Sequence, residues 1–376
     1  MMEFRPSSVR EPAQNWESGA GNLGFSVPPL DLRQLLAMTD ERGLFQHARY
    51  ASPDLDHGYC TDDNARALIA AAEHARQQGG KTELPLADYL AFVESAWCPR
   101  EQAFRNFMDQ HGQWLEPQGS LDSQARALWS LGWTADRAPE PEIRRRANEL
   151  FAAGMDLIQR LEPLRSRAFA IHGLVHFLKA CPGDERALAL LEDLAHGLYA
   201  AYRSHASTRW CWWEDQVTYD NARLPQALLL AGEKLQLPVM VRDGLAALRW
   251  LLQVQAARTP EGEPCLGVIG NAGWLECGGE RARWDQQPLE AYALVDACLV
   301  AGRVTGEPLW QECAWDCFRW FLGHNELGAS LIHSETGGCQ DGLQEGGVNR
   351  NQGAESLLAY VLAQLLLFDA LERGEE

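Results

Sequence analysis

Ten cysteines are present, yet no Cys-x-x-Cys pair occurs anywhere in the 376 residues. They are scattered, at 60, 98, 181, 211, 265, 277, 298, 313, 317 and 339. That pattern has neither the paired spacing of a structural zinc site nor the density of a disulfide-stapled domain. Reduced thiols, mostly buried as small hydrophobes, are expected, with Cys313 and Cys317 sharing a helix face. Long apolar runs are missing too. None approaches the roughly 20 uninterrupted residues of a membrane span, and the first residues, Met-Met-Glu-Phe-Arg-Pro-Ser-Ser, lack the apolar core of a signal peptide. A soluble, cytoplasmic protein is expected. Positive charge is in deficit: 33 Lys and Arg face 52 Asp and Glu, for a net charge of −19. A nucleic-acid backbone or an anionic bilayer would be repelled, so neither is an expected partner. No Gly-x-Gly-x-x-Gly or phosphate loop follows a strand pattern. The ten histidines show no zinc spacing, and His172 and His176, four apart, read as packed or hydrogen-bonded. No cofactor and no metal is expected.

What the chain does have is a recurrence. Short Ala-rich helical segments begin at Asp63-Asn-Ala-Arg-Ala-Leu, Asp122-Ser-Gln-Ala-Arg-Ala-Leu, Arg167-Ala-Phe-Ala-Ile-His, Asp220-Asn-Ala-Arg-Leu-Pro-Gln-Ala, Pro288-Leu-Glu-Ala-Tyr-Ala and Gly353-Ala-Glu-Ser-Leu-Leu-Ala. More polar amphipathic segments lie between them. A repeat of about 40 to 70 residues built from helix pairs means a solenoid or a closed ring. Periodicity and breakers predict outer helices near 29–39, 85–97, 139–160, 184–203, 237–255 and 307–323. Inner, Ala-rich helices are predicted near 62–78, 121–133, 165–180, 220–233, 286–302 and 351–371. Six pairs close a ring, so the predicted fold is all-α, an (α/α)6 toroid with short β-hairpin insertions on one rim. Residues 1–27, rich in Pro, Ser, Gly and Asn, read as an irregular arm before one toroid domain over 28–376.

The connections are asymmetric. Links that follow an inner helix are short, whereas those leading into one are long, at 40–61, 98–120, 204–219, 256–285 and 324–350; only 161–164 is short. Five long loops therefore crowd the rim that carries the inner-helix N-termini, and long loops in compact domains are usually functional. Short β-hairpins are predicted in them, at 104–115 and from Cys265 to Leu275.

Carboxylates cluster in the same loops: Asp62, Asp63, Asp122, Glu214, Asp215, Asp220, Asp285, Asp341, Glu345 and Glu355. Paired carboxylates beside exposed aromatics are what glycoside chemistry requires, one protonating the leaving oxygen and another activating water or attacking the anomeric carbon. A simpler expectation runs alongside. Asp63, Asp122, Asp220 and Asp285 stand near helix starts and suit N-capping or structural service. Arg66, Arg126 and Arg223 suit internal ion pairs to neighbouring hairpins. Trp129, Trp250, Trp315 and Trp320 lie within helices and read as core.

The segments His57-Gly-Tyr-Cys-Thr-Asp-Asp-Asn-Ala-Arg-Ala-Leu, Trp213-Glu-Asp-Gln-Val-Thr-Tyr-Asp-Asn-Ala-Arg, Trp284-Asp-Gln-Gln-Pro-Leu-Glu-Ala, Gly338-Cys-Gln-Asp-Gly-Leu and Asn349-Arg-Asn-Gln-Gly-Ala-Glu-Ser carry a resemblance. The chain resembles the helical toroid domain attached to, or encoded beside, family 4 glycosyltransferases and mannoside phosphorylases, itself similar to six-hairpin glycosidases. The resemblance covers roughly 29–371. It implies the toroid, a carbohydrate ligand and a glycosyltransferase encoded nearby as a possible partner, and it transfers no catalytic assignment.

Three function classes fit. A glycoside hydrolase or phosphorylase needs two carboxylates across the sugar. An epimerase or isomerase needs facing histidines, for which His57 and His172 are the candidates. A non-catalytic glycan-binding partner of a glycosyltransferase needs aromatics alone. The leading expectation is inverting hydrolysis. In it Asp215, or Glu214, is an acid desolvated by Trp212 and Trp213. Asp285 is the base, with Asp122 or Asp62 as alternatives, and Asp122 faces Asp285 across the ring. Inversion asks for carboxyl groups about 6.5–9.5 Å apart. Ligand contacts are expected from His57, Tyr59, Asp63, Trp212, Trp213, Trp284, Arg283, Gln286, Asp341, Asn349 and Glu355.

Overall fold

In the computed structural model, residues 25–374 are described, and most of the expected N-terminal arm lies outside them. Twelve α-helices follow in order: α1 Arg33–Ala37, α2 Thr61–Gln77, α3 Leu86–Ala96, α4 Leu121–Arg137, α5 Pro141–Ile158, α6 Leu164–Ala180, α7 Glu185–His205, α8 Arg223–Lys234, α9 Pro238–Val254, α10 Pro288–Thr305, α11 Leu309–Arg319 and α12 Ala354–Gly374. The even-numbered helices are the Ala-rich ones. Each packs against the next, and α12 packs back on α2, which closes an inner ring of six. The odd-numbered helices lie outside, each mainly against the inner helix before it, so the packed hairpin is inner-then-outer. The fold is the all-α toroid expected from the repeat.

Small residues make the inner ring possible. At the α4–α6 crossing a Cβ on Gly132 would sit 2.2 Å from the Gly173 carbonyl oxygen, and one on Gly173 would sit 2.8 Å from that of Leu128. Only glycine lets these two backbones meet so closely. The inner helices are buried nearly all round, whereas α5, α7 and α9 bury one stripe and expose the other. Helix α12 is long and apolar enough to cross a membrane by length and composition, yet 78% of its most apolar window is buried inside the protein.

The short strands sit in the long loops, on the rim where inner helices begin. Tyr59–Cys60 pairs with Phe107–Met108, and an isolated bridge from Met108 to Trp114 makes a hairpin shorter than the 104–115 expected, because Ala103–Phe104 pairs back to Trp97–Cys98. The hairpin expected from Cys265 to Leu275 does not form. Pro264–Leu266 pairs back to Ala256–Arg258, while Leu275–Glu276 crosses to Gln216–Val217. Gly270, between the two arms, is pressed so close to the backbone carbonyl of Trp284 that a Cβ would clash. The segment therefore folds onto its neighbours rather than onto itself.

The four aspartates near helix starts are not caps. Cys60 caps α2 and Ser120 caps α4 through side chains that accept the N–H of residues 63 and 123, while α8 and α10 start from Ala222 and Gln287 without a side-chain cap. The arginines do tie hairpins together, as expected. Arg66 reaches Glu355, Arg126 bridges Asp62 and Asp220, and Arg223 pairs with Asp296.

Candidate active site

A cavity of about 370 Å³ opens on the rim, where the starts of α2 and α12 meet the loops that precede them. Its floor is the first turn of α2. Thr61 fixes that turn to the neighbouring loop, its N–H donating to the Asn106 carbonyl at 2.8 Å and its hydroxyl to the Arg105 carbonyl at 2.6 Å. One wall carries Asp341, Asn349, Gly353, Glu355 and Ser356; the other sides carry Gln46, His47, Asn106, Phe107 and Gln287. Asp341 is held by the Gly353 N–H at 2.8 Å, and Asn349 by the strand pair 342–344 and 347–349.

The carboxylates here outnumber the cations. Asp62, Asp63, Asp341 and Glu355 line the cavity with a single guanidinium, Arg66. Arg66 spends its two terminal nitrogens on Asp63 at 2.8 Å and on Glu355 at 3.0 Å. Asp62 is paired from behind by Arg126, at 2.8 and 3.0 Å. Two adjacent residues thereby diverge. Burial disfavours the charge of Asp62, but Arg126 and Arg66 prevail and hold its carboxyl below the ordinary value. For Asp63, burial together with the nearby charges of Glu355 and Asp62 overcomes Arg66 and pushes the carboxyl up to about 6. The Cys60 thiol donates to Asp63 Oδ2 at 3.0 Å, from the same side chain that caps the helix. Burial also raises Asp341, against the Gly353 N–H, the Ser356 hydroxyl and His47. His47 is pushed down by burial and by His57, whose ring lies edge-on at 4.8 Å.

Of the residues expected to form the site, Asp62, Asp63, Asp341, Asn349 and Glu355 come together in this cavity, and His57 stands beside it through His47. The others are placed elsewhere. Trp212 and Trp213 are 0% and 2% exposed, packed on Trp250 and Tyr202, and offer no face to a ligand. They do not desolvate Asp215, whose side chain is 93% exposed and pairs with His205 at 3.0 Å. Glu214 is bound by Arg165 at 2.7 Å. Asp122 accepts from the Ser166 and Tyr219 hydroxyls and does not line the cavity. Nor does Asp285, which sits half-buried in a left-handed turn (φ 58°). The expected acid Asp215 and base Asp285 therefore both lie outside this cavity, and the carboxylates that line it stand at the starts of α2 and α12 and in the loop before α12.

The remaining expected contacts lie outside this lining. Tyr59 is fully buried, stacked on Phe45 and donating to Asp40 at 2.6 Å. Gln286 is buried, accepting from Trp320 Nε1 at 3.0 Å and donating to Glu326 at 2.7 Å. Arg283 covers the Trp284 ring at 4.6 Å and pairs with Glu326. His172 is buried on α6 against the Trp129 ring at 4.9 Å, away from the lining. The sequence reading missed Gln46, His47, Asn106, Phe107, Gln287 and Ser356. Phe107, an aromatic in a polar loop, is the one that carried a usable signal.

No protein-family model and no curated protein sequence matches the chain. Solved structures do. A D-mannose isomerase superposes with a TM-score of 0.67 at 12% identity, over 93% of this chain and 100% of that one. Cellobiose 2-epimerase from Spirochaeta thermophila gives 0.67 at 13% identity, over 91% and 93%. A family 76 α-mannanase from Bacteroides thetaiotaomicron gives 0.57 at 9% identity, over 84% and 87%. At these identities the likeness is one of fold, and it is the toroid that the packing already showed.

Proposed function

We propose that the chain is a glycoside hydrolase acting at the start of α2. The observation that carries this reading is the divergence of Asp62 and Asp63: two successive carboxylates in one cavity, one held ionised and the other raised to about 6. Environments that push two carboxylates apart assign an acid and its ionised partner. Asp63 donates its proton to the glycosidic oxygen as the bond from that oxygen to the anomeric carbon breaks. Asp62 takes a proton from water as the water oxygen bonds to the anomeric carbon, inverting it. Asp341, Asn349 and Gln46 supply hydroxyl contacts from the walls.

Charge favours water over phosphate as the acceptor. The lining guanidinium is already shared by two carboxylates, so an incoming phosphate meets four acids and no open cation. The same field favours an uncharged sugar over a uronate or a sugar phosphate. The isomerase and epimerase among the structural neighbours raise the histidine alternative, but His47 is the sole histidine in the lining and His57 lies against it rather than across the opening.

The test is release of reducing sugar from uncharged mannosides and glucosides, with and without phosphate. Turnover that does not depend on phosphate and is lost in Asp62→Asn and Asp63→Asn supports the reading. Release of a sugar 1-phosphate would replace hydrolysis by phosphorolysis. Tight glycan binding with no turnover would make the chain a non-catalytic binding partner, as a glycosyltransferase encoded nearby would require. The anomer first released, read by proton NMR, decides whether Asp62 activates water or attacks carbon directly.

A further inference from the structure

Seven large hydrophobic side chains are exposed among the described residues, and four of them, Tyr50, Leu55, Phe107 and Leu115, lie on the two loops leading into α2 and α4. Both loops border the cavity, since they also supply Gln46, His47, Asn106 and Phe107 to its lining. Phe107 is 40% exposed inside the lining itself. Leu115 joins it, its N–H donating to the Phe107 carbonyl at 2.9 Å.

Tyr50, outside the lining itself, is tied to the segment between Asn349 and Gly353, which do line it. It is 68% exposed, at the tip of the short hairpin 48–53 that begins just after His47. Its backbone is left-handed, with φ 54°, a conformation costly for a bulky residue. That conformation is fixed by the same segment: the Tyr50 N–H donates to Asn351 Oδ1 at 2.9 Å, and its carbonyl accepts the Gln352 N–H at 2.9 Å. Asn349 and Gly353, on either side of those two residues, line the cavity. The backbone of an exposed aromatic residue is thus fixed to the segment that forms the cavity wall, while the residue itself stays 68% open to solvent.

We propose that Phe107 and Tyr50 are stacking platforms on two sides of the cavity mouth, and that the ligand is an uncharged oligosaccharide longer than a disaccharide. One sugar face rests on Phe107, the reacting unit lies over Asp62 and Asp63, and a further unit rests on Tyr50. Aromatic rings match the apolar C–H face of a sugar, and the surplus of carboxylates turns away acidic glycans. The inference rests on the glycosidase reading of the same cavity and adds to it the length and charge of the substrate.

The experiment is calorimetric titration of full-length Asp63→Asn protein with uncharged manno- and gluco-oligosaccharides of two to six units, and with a uronate oligomer. Affinity is expected to rise about ten-fold between two and four or more units for the preferred series, the worth of one buried apolar contact. The uronate oligomer should not bind. Tyr50→Gly should abolish the gain with length, leave disaccharide affinity unchanged and not lower Tm, since glycine accepts the left-handed backbone. Phe107→Ala should weaken every length. Equal affinity for two and six units, or a length gain that survives Tyr50→Gly, overturns the proposal. Wild-type cleavage of disaccharides and hexasaccharides at equal kcat/KM overturns it while leaving the hydrolase reading intact. Length-dependent binding without any cleavage does the reverse. Failure of every oligosaccharide to bind at millimolar concentration overturns both.

Discussion

The two ends of the inner ring use the same residue types to opposite effect. At the C-terminal end of α2, Glu73 is fully buried but meets Arg76 at 2.6 Å and Arg137 at 2.9 Å, and both arginines also reach Asp369 on α12. Among the described residues, two acids here face two guanidiniums. Burial alone would raise Glu73, yet the arginines bring its carboxyl down to about 2. At the N-terminal end of the same helix the lining has four acids and one guanidinium, and Asp63 rises to about 6. Burial is common to both ends; the balance of charge is not. A matched cluster fastens three helices together, and an unmatched one shifts a carboxyl toward neutral pH, the shift that the proposed acid role asks for.

The largest effect that would break this comparison is expected at the matched end. Glu73→Ala strands Arg76 and Arg137 with a shortage of acid, and removing one partner of a buried pair costs about 3–5 kcal/mol. Urea denaturation should show that loss, while the protein that remains folded keeps its turnover. Loss of activity without loss of stability would mean that this end also serves the chemistry.

Asp63→Asn should do the converse. Turnover falls by about 10²–10⁴-fold, the usual worth of a general acid, while stability at pH 7 holds or rises. The reason is the surplus: removing one of four acids relieves repulsion, and Arg66 keeps Glu355. A large loss of stability would show Asp63 to be a structural partner of Arg66 and nothing more.

The pH dependence of stability separates the two ends by sign. The Glu73 carboxyl is lowered on folding, from 4.5 to about 2, so its contribution is full above pH 4.5 and is lost as pH falls through about 2. Asp63 is raised from 3.8 to about 6, so its contribution is full below pH 3.8 and is lost as pH rises through about 6. Thermal melts from pH 3 to 8 should therefore show an Asp63-dependent decline between about 4 and 6 that disappears in Asp63→Asn. Turnover should fall as pH rises through about 6, where the folded acid loses its proton. A variant melt parallel to that of the wild type would sink the proton assignment.

The contrast also marks what a sequence can carry. The inner helices were legible because Ala-rich periodicity and asymmetric link lengths are local properties, and both survive in the ring. Asp62, Asp341 and Glu355 were legible as acids on the crowded rim. What the sequence does not show is which acids share a cation. Asp63 and Glu73 look alike on paper; Arg137, 64 residues from Glu73, and Glu355, nearly 300 from Arg66, set them apart. Trp212 and Trp213 beside Glu214 and Asp215 read as a sugar platform with its acid. Their burial is decided by Trp250 on α9 and Tyr202 on α7, a tertiary fact with no local signature. Of the capping or structural service expected of the aspartates, the capping half fails, since Cys60 and Ser120 take that role three and two residues before Asp63 and Asp122.

The smallest expected effect tests the same lesson. Asp215 has the motif of a catalytic acid, next to two tryptophans and a glutamate, but its side chain is 93% exposed and its partner is His205, exposed on the outer helix α7. An exposed pair of this kind contributes about 0–1 kcal/mol at most and is screened by salt. Asp215→Asn should therefore leave Tm within about a degree or two and turnover within about two-fold, far from the loss expected of Asp63→Asn. Measured side by side on one substrate, the two variants differ by one methylene-free change each, Oδ to Nδ, so any gap between them reports position rather than chemistry. If Asp215→Asn instead matched Asp63→Asn, a substrate long enough to reach the Trp213 loop would have to bring that carboxylate into the reaction. The acid would then belong to the loop before α8, and the divergence of Asp62 and Asp63 would be structural.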